Sequence, residues 1–111
     1  MVAMLVLYII VRNNKEKAVL IRSAQTDALT GVYNKENTQN MIDEILRKKD
    51  PDSFHGFLIL DMDHFKEVND VYGHAMGDKV LEMLGNFLKK QFREQDVIGR
   101  IGGDEFVILL Y

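Results

Sequence analysis

Residues 96–111 read "DVIGRIGGDEFVILLY", and the reading of this stretch decides the fold. A strand-like run rises to Ile101, breaks at Gly102 and Gly103, presents Asp104 and Glu105, and resumes over residues 106–110. Two apolar runs separated by glycines predict a hairpin. Acids at a solvated tip are ordinary turn chemistry. Here they stand between two runs that read as buried, which asks what else the carboxylates serve.

The rest of the chain narrows the answer. Its 111 residues supply one small domain, and 47% apolar with 28% charged residues describes a folded protein. Cysteine is absent, so any metal would be held by oxygen or histidine. Residues 1–26 carry Arg12, Lys15, Lys17 and Arg22 against Glu16 alone, which leaves the remainder at −6 within a net charge of −3. Such an acidic body argues against a nucleic-acid surface but leaves room for a nucleotide bound through a cation.

The first eleven residues, "MVAMLVLYIIV", are an uninterrupted apolar run followed by "RNNKEK". At ~1.5 Å per residue the run covers about half of a ~30 Å hydrocarbon core. It fits a strand or helix packed on something absent from the chain. It also fits the inner end of a truncated membrane span, which the basic cluster after it favours. A secretory signal fits less well, because no basic residue precedes the run.

Residues 15–29, "KEKAVLIRSAQTDAL", space Ala18, Leu20, Ile21, Ala24 and Leu29 as a connecting helix. Asn34 is placed to cap a second helix over "KENTQNMIDEILRKK", with Met41, Ile42, Ile45 and Leu46 inward. "FLILDMD" has the continuous apolar pattern of a central strand buried on both faces, ending at Asp61 and Asp63. Residues two apart on a strand share a face, and Asp63 is also a candidate cap for a helix starting at His64. That short helix turns Phe65, Val68 and Tyr72 inward. A longer one follows with the stripe Met76, Val80, Leu81, Leu84, Phe87 and Leu88, which reads as core. The order of elements predicts a mixed α/β fold, a small sheet covered by helices. Asp61 and Asp104, 43 positions apart, then stand at the ends of neighbouring strands, where Mg²⁺ can hold a substrate's phosphates through two carboxylates.

Four blocks carry a family resemblance: "DALTGVYNK" at 27–35, "LDMDHFKEVNDVYGHAMGDKVL" at 60–81, "REQD" at 93–96 and "GRIGGDEF" at 99–106. In this order and spacing they resemble the GGDEF domain of diguanylate cyclases, bacterial signalling enzymes that join two GTP molecules into cyclic di-GMP. The resemblance implies residues 27–111 as the N-terminal part of a palm-like, nucleotide-cyclase-like α/β domain, with residues 1–26 as apolar segment and connecting helix. It implies Asp61, Asp104 and the carbonyl of Met62 as ligands of Mg²⁺ or Mn²⁺. Asn69 and Asp78 would read guanine, His74 would lie near the nucleotide, and Gly102 and Gly103 would form the bend approached by the triphosphate. Lys66 would stabilise phosphate charge, and Asp104, with Glu105 beside it in the catalytic set, is the suggested proton acceptor. An unperturbed aspartate, with a pKa of ~3.9, is a poor base, so the metal role of Asp104 is the better founded.

The resemblance also implies an inhibitory product site at Arg93 and Asp96, where Arg93 would meet guanine or phosphate and Asp96 would accept from guanine. Their ordinary reading is a solvated helix end. A homodimer, attachment to the cytoplasmic face of the inner membrane through the N-terminus (or a cytoplasmic location if residues 1–11 are not part of a span), and no nucleic-acid partner complete the expectation. A non-catalytic GTP- or cyclic di-GMP-binding regulator and a purely structural domain are the competing readings. The family domain continues past the point where this chain stops. The 111 residues alone are therefore expected to be marginal in stability and inactive, with "FVILLY" at an open sheet edge.

Overall fold

The computed structural model of the protein describes residues 24–48 and 50–111. Six elements follow in order: α1 (Lys35–Arg47), β1 (Gly56–Asp61), α2 (Phe65–Tyr72), α3 (His74–Gln91), β2 (Val97–Arg100) and β3 (Glu105–Leu110). The expected apolar span at 1–11 and most of the connecting helix lie outside the described residues. What is described of that helix ends at Gln25, because Thr26 pairs across to Tyr33 instead of continuing to Leu29. No helix among the described residues is long and apolar enough to cross a membrane.

Asn34 caps α1 as its side-chain type predicts, its Oδ1 accepting from the Asn37 amide at 2.8 Å. The inward face of α1 differs from expectation: Leu46 is half exposed, and the helix is anchored instead by buried Thr38. Thr38 packs on Gly99 of β2, where any Cβ would overlap the threonine side chain. Glycine at 99 is thus what lets α1 lie directly on the sheet.

The sheet is antiparallel with the order β1-β3-β2, so β3 is the central strand. It pairs with β1 from Gly56↔Leu110 to Asp61↔Glu105, and with β2 from Val97↔Leu109 to Arg100↔Phe106. Phe106 and Ile108 on one face join Ile98, Val32, Leu81 and Leu88 in a single buried cluster. This order corrects two expectations. Among the described residues "FLILDMD" is an edge strand, and Phe57 to Leu60 are 36–64% exposed. "FVILLY" is not an edge, since Phe106, Val107, Ile108 and Leu109 are buried. The physical reason is pairing: β3 satisfies backbone groups on both sides, while β1 has a strand on one side only among the described residues.

Helix α3 is confirmed, but its buried face is Gly77, Leu81, Gly85 and Leu88. Met76 and Phe87, expected inside, are about half exposed, because the two glycines give the helix its closest approach to its neighbours and rotate the stripe. Tyr72 is likewise exposed, whereas Phe65 packs on the core. Asp63 does not cap α2: His64 occupies the N-cap position with φ of 60° and no side-chain cap. A non-glycine residue in that left-handed region turns the chain sharply just after β1.

Candidate active site

The bend between β2 and β3 is closed by the Ile101 and Gly102 amides, which both donate to the Glu105 carbonyl at 3.0 and 3.4 Å. Neither Gly102 nor Gly103 has positive φ, and a Cβ at Gly103 would meet no described atom within 4 Å. Glycine at 103 therefore answers no local steric demand within the described protein. It leaves one side of the backbone open.

Asp61 ends β1 in register with Glu105, and the Met62 amide donates to the Asp104 carbonyl at 3.3 Å. Strand pairing thus carries three acids and Met62 to one corner. The charge of Asp104, above all, pushes the Asp61 carboxyl above its ordinary 3.8. Burial, hydrogen bonding to Asp104, and the charges of Glu105 and Asp63 act in the same sense. Two repelling carboxylates want a cation between them. The described residues contain no group of three or more His, Cys, Asp or Glu able to cage a metal. The donor set fits a hard ion held by two carboxylates and completed by phosphate oxygens and water, not an all-protein cage.

A second group stands on α2 and α3. Lys66 projects from the first turn of α2, exposed and without an ion-pair partner among the described residues. His74 opens α3 and is exposed, as is Asp78 one turn later. Asn69, half buried, lies over the bare backbone of Gly77, where a Cβ would overlap its carboxamide. Gly77 thereby forms the floor under Asn69 next to Asp78, a role that spacing did not suggest.

Arg93 and Asp96 are brought together, but differently from expectation. The helix has already ended at Gln91, and the Asp96 side chain is buried. Its two oxygens accept from the amides of Arg93 and Tyr111, both at 2.9 Å. The Tyr111 amide, first, and the Arg93 amide and charge hold the Asp96 carboxyl below its ordinary 3.8, against the effect of burial. The Arg93 guanidinium remains mostly exposed and donates to the Tyr111 carbonyl at 2.9 Å.

Two further residues of these sequence blocks meet across the fold. Asp27 and Arg100, 73 positions apart, form an ion pair at 3.1 Å with both side chains mostly buried. Arg100 also donates to the carbonyls of Gly102 and Gly103. Burial raises the Asp27 carboxyl, but hydrogen bonds from Thr30 and the bond and charge of Arg100 outweigh it and hold the group below 3.8.

A central hairpin with paired carboxylates at its tip, under a layer of helices, defines the class: an α/β domain built around an acidic bend. A family profile described as "Diguanylate cyclase, GGDEF domain" matches residues 24–111. The chain belongs to the GGDEF-domain family of diguanylate cyclases. It is 41% identical over 90 residues to diguanylate cyclase DgcP of Pseudomonas aeruginosa, covering 80% of this chain and 13% of that protein.

Among solved structures it resembles the GGDEF domain of TpbB from Pseudomonas aeruginosa, with a TM-score of 0.70 and 38% identity over 77% of this chain and 50% of that one. The coiled coil and GGDEF domain of DgcB from Caulobacter crescentus, solved in complex with cyclic di-GMP, gives a TM-score of 0.83 at 25% identity, covering 91% of this chain and 53% of that one. The chain thus spans about half of these solved chains and a smaller share of DgcP. The expected α/β class and palm-like family fold are borne out, in the partial form of a three-stranded sheet.

Proposed function

We propose that this domain condenses two molecules of GTP into cyclic di-GMP, with one GTP held by each of two facing copies. The 3′-hydroxyl oxygen of one nucleotide attacks the α-phosphorus of the other, the bond to the β-phosphate breaks, and pyrophosphate leaves with the electron pair. The hydroxyl proton is released, and a second such step closes the ring. The protein's task is positioning and charge neutralisation.

Asp61, Asp104 and the Met62 carbonyl would hold Mg²⁺ or Mn²⁺. When bound, such an ion neutralises the triphosphate and lowers the pKa of the attacking hydroxyl. Gly102 and Gly103 let phosphate oxygens approach the backbone amides, and Lys66 adds positive charge at the reacting phosphate. Asp78 accepts from the N1 and N2 edge of guanine, Asn69 donates and accepts beside it, and His74 borders the nucleotide. Glu105, paired with Asp61 in register, adds negative charge to the cation corner. The observation that carries this reading is the repelling pair Asp61 and Asp104 at a bend whose Gly103 faces open space. The intact acid pair disfavours a binding-only regulatory role.

Arg93 and Asp96 would take up the product, with Arg93 supplying the accessible contact and Asp96 shaping the turn beneath it. Location on the cytoplasmic face, with attachment through residues 1–11, accords with the need for GTP. Asp104→Ala tests the core of the proposal in the full-length protein with Mg²⁺ and GTP. Cyclic di-GMP formation should fall roughly a hundredfold or more while the circular dichroism spectrum is unchanged. Near-normal turnover would sink the assignment. Arg93→Ala should weaken cyclic di-GMP binding at least about tenfold by calorimetry, and unchanged affinity would place the product elsewhere.

A further inference from the structure

The loop between Ala24 and Asn34 is tied to the sheet more tightly than a surface loop needs. Asp27 accepts from the Thr30 amide and hydroxyl at 2.9 and 2.7 Å, and the Asn34 amide donates to the Gln25 carbonyl at 3.0 Å. Tyr33 bridges Thr26 on one side and Gly99 of β2 on the other. The Tyr33 amide donates to the Ile98 carbonyl, and the Arg100 amide donates to the Tyr33 carbonyl, both at 3.0 Å. The segment that enters the domain at Ala24 is thus stitched to the strand that leads into the glycine bend.

Arg100 continues this chain of contacts through its side chain. Nη1 donates to both carboxylate oxygens of Asp27, at 3.3 and 3.1 Å. Nε donates to the Gly102 and Gly103 carbonyls at 3.2 and 3.1 Å, and Nη2 donates to the Gly103 carbonyl at 2.7 Å. One planar fork therefore gathers the two carbonyls of the bend while its far nitrogen is fixed by a carboxylate. A lysine ammonium has no such fork with which to meet all these acceptors in one plane. Drawing the carbonyls of Gly102 and Gly103 to the arginine side also orients the peptide planes that lead into Asp104.

We propose that Arg100 is a positioning residue that sets the Gly102–Gly103 bend, and through it Asp104, and that Asp27 holds Arg100 in place for this purpose. The inference rests on the cation and nucleotide reading of the bend. Its consequence is that the entering segment at residues 24–27 and the cation corner share one rigid connection. Displacement of that segment reaches the bend through the Arg100 side chain as well as through the Tyr33 pairing to β2.

The test compares wild type, Asp27→Asn, Arg100→Lys and the exchanged pair D27R/R100D in the full-length protein. Three readouts are needed: the melting temperature, hydrogen exchange of the Ile101 and Gly102 amides without nucleotide, and the Mn²⁺ concentration that half-saturates binding of 3′-deoxy-GTP, which cannot react onward. Arg100→Lys should speed exchange at both amides and raise the Mn²⁺ requirement by about tenfold each, the order expected when charge-assisted hydrogen bonds are lost. Asp27→Asn should move both readouts in the same direction by less.

The exchanged pair restores the attraction but puts a carboxylate where the carbonyls need a donor. It should recover the melting temperature and leave both other readouts altered. Recovery of all three would reduce the pair to a structural tie and overturn the proposal, as would wild-type behaviour of Arg100→Lys. If wild type itself binds no 3′-deoxy-GTP with Mn²⁺, the functional reading fails, and the amide-exchange arm still decides whether Arg100 sets the bend.

Discussion

Gly77→Ala is the sharpest separation of function from stability that the structure offers. A Cβ at this position would lie 2.9 Å from Cγ of Asn69 and 3.3 Å from Cζ of Phe65, with the Asn69 carboxamide oxygen closer still. The phenylalanine contact is tight but tolerable. The asparagine carboxamide must swing away by roughly 1.5 Å to reach ordinary van der Waals separation. Alanine gains ~1 kcal/mol over glycine within a helix, and displacing one partly exposed side chain costs about the same. Stability should therefore change by less than about 1 kcal/mol, a melting shift within about 5 °C.

Nucleotide binding has no such compensation. If Asn69 reads guanine as proposed, losing one or two of its hydrogen bonds to the base removes about 1–3 kcal/mol, or roughly 5- to 150-fold in affinity. Calorimetric titration with 3′-deoxy-GTP and Mn²⁺ measures the affinity, and thermal melting measures the stability. Asn69→Ala should weaken binding similarly, and the double variant should lose little more, since both changes remove one contact. Affinity for Gly77→Ala within twofold of wild type would refute the argument. So would a stability loss above about 2 kcal/mol, which would make Gly77 a packing residue first.

Two other outcomes follow from the core and from the buried acids. Phe106 is fully buried on the central strand, so Phe106→Ala should cost about 3–5 kcal/mol in urea denaturation, and a loss under 1 kcal/mol would contradict its central place. Asp27 and Asp96 both titrate below their ordinary 3.8, so their stabilisation is complete above that value and is lost as pH falls through the lower folded values. Asp61 is shifted the other way and opposes this trend. The acid loss of melting temperature below about pH 4 should be shallower in Asp96→Asn than in wild type, and identical slopes would remove Asp96 from the account.

Much of the local structure was legible along the chain. Asn34 before a periodic run gave the start of α1, and the glycine break at 102–103 gave the hairpin, because caps and turns depend on residues a few positions apart. The meeting of Asp61 with the Asp104–Glu105 bend followed from acids at predicted strand ends. The order of the strands did not follow. An apolar run such as residues 57–60 reads alike at the centre and at the edge of a sheet, since periodicity records what a strand can bury and not what lies beside it.

The buried face of α3 was missed for a related reason. Gly77 and Gly85 carry no hydrophobic signal, yet their bare backbones bring the helix closest to its neighbours and displace Met76 and Phe87 outward. Asp96 read as a surface acid until folding brought it the amides of Arg93 and Tyr111. Asp27 and Arg100 lay in plain view in separate blocks, but nothing local links positions 73 residues apart. Sequence by itself determined the elements, the bend and its acids, because those rest on backbone propensities and residue chemistry. The tertiary structure alone decided which strand is central, which helix face is buried and which arginine holds the bend, because pairing and close approach are properties of the assembled chain.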